Sequence, residues 1–148
     1  MFACCSQQKG DIVGVANFDD LLEIAQQIHS TGDQELLLKH ADIESIPAQK
    51  RKEILATLEQ WQGLNPDREI EKIEIQSPDE YDPDEMMPEN WPEDFKEKFQ
   101  PIVWSVKPDK YIVFYERPKR DIEGHRSRWV FGAFNRESLW YFSTGYYK

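Results

Sequence analysis

Few residues in this 148-residue chain combine the type and the spacing that catalysis or metal binding requires. No cysteine or second histidine stands at metal-ligand spacing from His29, His40 or His125. His29 and His40 come near the ends of predicted helices, where a histidine interacts favourably with the helix dipole. No Gly-rich phosphate loop, GxSxG elbow, HExxH helix or paired CxxC motif occurs. We therefore assign no catalytic residue and no metal site, and we expect no cofactor.

A dense run of carboxylates lies between residues 79 and 94, with eight acidic residues, no basic residue and three prolines. Calcium-binding EF-hands need oxygen ligands at positions 1, 3 and 5 of a loop of about 12 residues, and Gly at position 6. With Asp82 and Asp84 as the first and third ligands, Met86 and Met87 take the fifth and sixth positions. The EF-hand match fails. We interpret residues 76–100 as a solvated acidic excursion, attached to the body of the domain by Met86, Met87 and Trp91, with a metal site as the less favoured alternative. The excursion is also a candidate lid.

Cys4 is the residue whose neighbours suggest a covalent modification. Ala3 precedes it, and a polar Ser-Gln-Gln-Lys stretch follows Cys5. This pattern resembles the end of a bacterial lipoprotein signal, which implies that Cys4 is lipidated, although the charged start and apolar stretch of a whole signal are missing. Two interpretations stay open: residues 1–16 are a tether or signal-peptide remnant, or the likeness is accidental. The first implies a lipid-anchored or periplasmic protein of the cell envelope, the second a cytoplasmic one.

The amino-acid composition limits the classes of binding partner that we expect. The formal net charge of −10 and the pI near 4.8 argue against nucleic acid, because affinity for phosphates depends on cationic side chains. The charge is uneven: residues 1–100 carry 23 acids and 9 bases, and residues 101–148 carry 5 acids and 9 bases. No apolar run is long enough to span a bilayer. We expect any membrane attachment to come only through a lipid anchor.

The aromatic residues concentrate in residues 101–147, which hold three of five tryptophans, five of six tyrosines and four of eight phenylalanines. Short alternating runs separated by turn residues are typical of antiparallel strands. We predict a four-stranded meander whose first two strands pair as a hairpin across Lys107–Lys110, with a turn at Asn135–Ser138 and a bend near Gly132. The predicted runs are 102–106, 111–115, 126–134 and 139–147.

Apolar residues at helical spacing before the sheet predict three helices, around residues 17–29, 35–38 and 47–61, followed by a strand at 69–75. A sheet this aromatic needs a covering layer, and the helices are the available one. We therefore predict an α+β fold in which three N-terminal helices pack on a curved, cone-like antiparallel sheet of four to six strands. Residues 17–148 are predicted to form a single domain.

The order of these elements, ending in a Leu-Trp-Tyr-Phe strand, resembles the nuclear transport factor 2-like (cystatin-like) superfamily over residues 17–147. In that superfamily a helix lies in a concave sheet and encloses a cone-shaped pocket, which different members use for catalysis, ligand binding or dimerisation. The resemblance implies a ligand-binding pocket on the inner face of the sheet, lined by Trp104, Tyr115, Trp129 and Tyr141.

Two functions remain open, because a fold by itself does not determine activity. The first is a non-catalytic, secreted or lipid-anchored domain that binds a small molecule or a protein partner, and homodimerisation is compatible with it. The alternative is an isomerase- or dehydratase-like enzyme that uses a pocket carboxylate or histidine, for which Glu116 and His125 are the candidates near the sheet. The lack of catalytic spacing favours the first.

Lipidation of Cys4 predicts that the wild-type protein, expressed from its own gene with any upstream signal included, incorporates radioactive palmitate and that Cys4→Ser does not. Cys5→Ser is the matched control and is expected to keep the label. A cytosolic, unlabelled wild-type product would refute the lipid anchor.

Overall fold

The computed structural model describes residues 12–64, 68–83, 92–94, 102–118 and 127–147. Within them lie three α-helices, namely α1 (Phe18–Thr31), α2 (Gln34–His40) and α3 (Ala48–Leu64). The strands are β1 (Ala41–Asp42), β2 (Arg68–Gln76), β3 (Ile102–Trp104), β4 (Lys110–Pro118), β5 (Ser127–Arg136), β6 (Leu139–Ser143) and β7 (Gly145–Tyr147). Five strands form a mixed sheet in the order β1-β6-β5-β4-β2, and β3 pairs with β7 in a second sheet. The α+β class is confirmed.

Helix α1 forms because its apolar residues fall on one stripe and its ends are defined locally. Leu21, Ala25 and Ile28 recur at helical spacing and are completely buried. Gly32 ends the helix in a left-handed conformation with φ of 69°, and its N–H donates to the Ile28 carbonyl at 2.7 Å. Asp33 then caps α2, since its carboxylate accepts from the Leu36 N–H at 3.1 Å.

The strand pairing departs from the predicted meander in two respects. Strands β4, β5 and β6 are antiparallel neighbours in chain order, as predicted. Strand β3 does not form a hairpin with β4. The segment between these two strands is instead hydrogen-bonded near the C-terminal end of β5. There the Asp109 N–H donates to the Ala133 carbonyl, and the Asn135 N–H donates to the Asp109 carboxylate, both at 2.8 Å. The sheet is also not wholly antiparallel, because Ala41 of β1 pairs in parallel with Phe142 of β6.

Strand β2 lies at one edge of the five-stranded sheet, antiparallel to β4. Its register shifts between Ile70 and Lys72, which leaves Glu71 as an irregularity in the ladder. Arg117 of β4 reaches across this irregularity, with its guanidinium 2.7 Å from the Glu69 carboxylate and 3.5 Å from that of Glu71. Arg117 and the two carboxylates therefore form ion pairs at the irregularity of this edge strand.

The main core lies between the helices and one side of the sheet, which we call the helix-side face. Helix residues Leu21, Ala25, Ile28 and Leu37 form one buried cluster with sheet residues Ile112, Phe114, Phe131, Ala133 and Phe142. The ring of Phe131 lies 5.7 Å from that of Phe114 and 5.2 Å from that of Phe142, so three adjacent strands are joined by aromatic contacts. Residues of α1 and α2 therefore pack on this face of the sheet.

The opposite side, the outer face, is also largely buried. Val113 is fully buried and Phe134 is 2% exposed. Trp104 of β3 lies so close to Gly132 that a Cβ on this glycine would be 2.8 Å from the indole ring, so Gly132 permits a close approach. Tyr81 stacks on Tyr111 with 3.9 Å between ring centroids, and burial raises the pKa of the Tyr111 hydroxyl. Aromatic side chains therefore cover both faces.

The β5–β6 hairpin turns through two residues in left-handed conformations, Glu137 at φ of 54° and Ser138 at φ of 69°. A two-residue hairpin turn with both φ values positive favours Asn-Gly, since most other side chains are strained there. We expect Glu137→Asn/Ser138→Gly to raise the free energy of unfolding by about 0.5–1 kcal/mol in urea denaturation. Glu137→Ala/Ser138→Ala is the control and is expected to give no gain. An equal effect in both variants would contradict the turn assignment.

Candidate functional site

A partly open groove of about 290 Å³ is lined by helices α2 and α3, by β5 and β6 of the five-stranded sheet and by β7 of the second sheet. The helices contribute Leu37, Lys50, Glu53, Ile54 and Thr57, and the strands contribute Trp129, Val130, Phe131, Phe142, Ser143, Thr144, Gly145 and Tyr146. The volume is close to the lower end of the range for small-molecule pockets, about 300–1,000 Å³. This groove is the candidate functional site.

The groove is apolar at the sheet and charged at the helix. Trp129 and Phe131 lie with their ring centroids 6.2 Å apart, and Phe142 continues the aromatic surface. Lys50 and Glu53, one turn apart on α3, are the charged residues among the described lining residues, and their ammonium and carboxylate groups are 3.4 Å apart. Their side chains are 31% and 54% exposed, so water screens the pair. The Thr57 hydroxyl donates to the Glu53 carbonyl at 2.9 Å.

The β6–β7 corner of the groove is held by hydrogen bonds to the segment that follows β3. The Ser143 hydroxyl donates to the Val106 carbonyl and accepts from the Val106 N–H at 3.1 Å. The Thr144 N–H donates to the Ser105 hydroxyl at 3.0 Å, and the Ser105 N–H donates to the Thr144 carbonyl at 2.9 Å. The backbone of Thr144 is therefore fixed, whereas its hydroxyl is buried and has no hydrogen-bond partner in the described part of the chain.

The four predicted ligand-binding residues do not share one pocket. Trp129 lines the groove and pairs with Phe114 on the helix-side face. Tyr115 follows Phe114 in β4, so the alternation of a strand places it on the outer face. Tyr141 pairs with Phe134, which is also on the outer face. Trp104 reaches that face too, where its ring lies 5.4 Å from that of Tyr111. Strand alternation therefore places Trp129 on the helix-side face and the other three on the outer face.

Tyr115 takes part in a polar cluster on the outer face. The Lys72 ammonium lies 4.7 Å from the centre of its ring, and the Gln76 amide donates to its hydroxyl at 3.3 Å. Hydrogen bonds from Lys72, at 2.7 Å, and from Gln76, at 2.8 Å, hold the pKa of the Glu74 carboxyl below its usual range. Ligand binding by these outer-face residues stays a prediction.

Several predicted features lie outside the described residues. These are the lipidation candidate Cys4, the basic-loop residue His125 and the apolar side chains of the acidic excursion, Met86, Met87 and Trp91. The structure gives them no placement.

A buried histidine–carboxylate pair was not anticipated from the sequence. His29 of α1 and Glu116 of β4 are 4% and 0% exposed, and His29 Nε2 hydrogen-bonds to a carboxylate oxygen of Glu116. The His29 ring also packs edge-on against Phe114, with centroids 5.1 Å apart. The sequence contained part of the evidence for this pair, because strand alternation places Glu116 on the same face as Ile112 and Phe114. Neither member of the pair lines the groove.

His40 is likewise buried, and its Nδ1 lies 2.8 Å from the Val13 carbonyl, which attaches the start of the described chain to α2. Among the described residues, no three or more His, Cys, Asp or Glu side chains gather as metal ligands would. No helix within the described ranges has the length and apolar character to cross a membrane. Comparisons of the chain with known protein families, with curated proteins and with solved structures give no match.

Replacing either member of the His29–Glu116 pair should destabilise the fold, because a buried polar group loses a hydrogen bond to a charged or polar partner. We expect His29→Leu and Glu116→Leu each to lower the free energy of unfolding by about 1–3 kcal/mol. The double variant should lose less than the sum of the two, since both single variants remove the same interaction. Additive losses would show that the two side chains contribute independently.

Proposed function

We propose that the protein is a non-catalytic binding domain that holds a small, predominantly apolar molecule in the groove lined by α2, α3 and strands β5, β6 and β7. The observation that carries the proposal is a groove of about 290 Å³ whose lining includes four aromatic residues, the half-buried Trp129 and Tyr146 and the buried Phe131 and Phe142. An apolar cavity of about 150 Å³ in another protein binds benzene. The groove here therefore has room for a molecule of more than one ring.

The charges around the groove favour a neutral ligand. Lys50 and Glu53 lie within 3.4 Å of each other, so their opposite charges partly cancel. A fully charged ligand would have to lose water without gaining an unopposed counter-charge from the described lining residues. A ligand without formal charge meets no such cost.

Two broader proposals accompany the groove. The cone-like, nuclear transport factor 2-like architecture is supported by the helical layer on one face of an α+β sheet. The lipid anchor on Cys4, and with it a place in the cell envelope, rests on the sequence pattern alone. A protein partner or a second copy of the chain is the alternative occupant of the groove, and a small molecule fits its volume better.

The isomerase- or dehydratase-like alternative is favoured by one observation, the burial of the Glu116 carboxyl group beside the His29 imidazole. Enzymes of this type use such a group to abstract a proton next to a carbonyl. A ketone probe such as 1-indanone would then exchange its C2 hydrogens with D2O faster in the presence of protein, and Glu116→Gln would abolish the acceleration. Exchange at the uncatalysed rate would remove this alternative.

Filling the groove should abolish binding of an apolar probe. Ile54 of α3 lines the groove and is half-buried, so we expect Ile54→Trp to occupy part of the volume and weaken binding of indane about tenfold or more, as measured by ligand-observed NMR. The matched control is Ile75→Trp, at a residue of β2 that is 40% exposed and does not line the groove. Equal affinity in the wild type and Ile54→Trp would place the binding site elsewhere, and absence of binding to the wild type would refute the proposed function.

A further inference from the structure

The groove borders the place where the sheet divides. The register of β5 with β6 ends at the pair Gly132 and Ser143. Beyond Ser143 the chain no longer follows β5, because β7 pairs with β3 in the second sheet. If the first register continued by two residues on each strand, Val130 would lie opposite Gly145. Both residues line the groove, and neither is fully buried. The groove therefore occupies the position of a pair that the two strands do not make.

The hydrogen bonds of β5 show which way the backbone of Val130 points. In an antiparallel ladder the N–H and C=O groups of successive residues point alternately to the two neighbouring strands. The Ala133 carbonyl and the Asn135 N–H both bond to Asp109, so these residues point to the β4 side of β5. By alternation, Gly132 and Val130 point to the β6 side. Since β6 ends opposite Gly132, no strand of the described part of the chain pairs with Val130 on that side.

The edge of β7 is open in the same way. The Thr144 carbonyl accepts from the Ser105 N–H, so the backbone of Thr144 points to the segment after β3, and that of Gly145 points away from it. Val130 pairs with Val113 and so has its side chain on the outer face, which means that a groove on the helix-side face reaches Val130 at the strand edge. Unpaired backbone donors and acceptors therefore border the groove.

We propose that the groove's ligand carries a secondary amide within a ring, and that this amide donates to the carbonyl of Val130 and accepts from its N–H. The inference rests on the proposed function and narrows its ligand class. An open strand edge is a row of unpaired N–H and C=O groups that can template further pairing. Ligand pockets that are mostly apolar use a few such backbone groups to orient the ligand.

The geometry of the edge favours a ring amide over a linear one. The N–H and C=O of a single strand residue lie side by side, and an amide within a small ring presents its own N–H and C=O side by side. An ordinary peptide amide is trans and points these two groups in opposite directions. A ring amide is also neutral, which suits a groove where the charges of Lys50 and Glu53 are paired. The ring packs against the half-buried Trp129 and Tyr146.

Amide hydrogen exchange, followed by NMR in D2O, tests the open edge in the unaltered protein. The N–H of Val130 should exchange at least about tenfold faster than that of Gly132, because the latter lies in the paired part of β5 and the former does not. The N–H of Phe131, which points to β4, is a second reference within the same strand. Equal protection of Val130 and Gly132 in the free protein would show that Val130 already has a partner, and this would overturn the inference.

The direct test compares oxindole, a fused ring with a cyclic amide, and N-methyloxindole, which lacks the amide hydrogen. We expect oxindole to bind about 2- to 10-fold more tightly in ligand-observed NMR titrations, the range for one neutral hydrogen bond. Oxindole should also slow the exchange of the Val130 N–H. Indane has no polar atom and should slow that exchange less.

Two variants at one residue separate the backbone group from the side chain. Val130→Pro removes the N–H, and proline is tolerated where a strand edge is open. It should weaken binding of oxindole about 2- to 10-fold relative to indane. Val130→Ala keeps the N–H and should change the affinities for both probes by the same factor. If Val130→Pro does not fold, the exchange measurement and the two oxindoles decide the question.

The outcomes separate the two levels of the proposal. If indane and oxindole bind but oxindole protects Val130 no better than indane, the amide contact is wrong while the apolar groove stands. If oxindole protects Gly145 instead, the contact is assigned to the wrong strand edge. If acetanilide, a trans amide, protects Val130 more than oxindole does, the edge recognises an extended chain and the ring amide is wrong. If none of the probes binds, the proposed function and the inference fail together.

Discussion

Burial of the aromatic helix-side face is the constraint on which the rest of the structure depends. Phe114, Phe131 and Phe142 come from three adjacent strands, and Leu21, Ala25 and Ile28 of α1 belong to the same buried cluster. Burying each of the five larger side chains among them contributes about 1.5–3 kcal/mol, so together they outweigh any single polar contact in the fold. The position of α1 on the sheet follows from this layer.

The groove lies where the buried cluster between the helices and the helix-side face of the sheet ends. Towards the β6–β7 corner, Phe131 and Phe142 belong to the core and also line the groove. These two rings therefore stabilise the fold and support the groove from beneath, and the half-buried Trp129 and Tyr146 are the aromatic residues that a ligand would contact. Substitutions at these two residues would change stability and binding together, whereas Ile54 and Thr144 allow the groove to be altered outside the buried core cluster.

Sequence patterns predicted the helices and strands whose apolar residues recur with a clear period. They failed to predict contacts between residues that are far apart in the chain. The alternation in β4 and β5 and the apolar stripe of α1 are local properties, so both strands and the helix were expected. The pairing of β3 with β7 joins residues more than 40 positions apart, such as Ile102 and Tyr147. The chain between β3 and β4 is held to β5 by the hydrogen bonds of Asp109, which the sequence pattern did not predict.

Among the residues that line the groove, the sequence predicted Trp129 as a pocket residue but not Thr144. The unpaired hydroxyl of Thr144 can be recognised only when the positions of its neighbours are known. For the same reason the sequence predicted His29 only as a helix-end residue, since its contact with Glu116 spans 87 positions.

The irregular register of β2 has a consequence for how copies of the molecule meet at high concentration. A straight, apolar strand at the border of a sheet offers its open hydrogen-bonding groups to any similar strand and so promotes fibrous association. The register shift at Glu71 interrupts that template, and the charged side chains of Glu69, Lys72 and Glu74 would have to lose water if another copy paired with the strand. In a chain this rich in Trp, Tyr and Phe, these features of β2 oppose the joining of sheets.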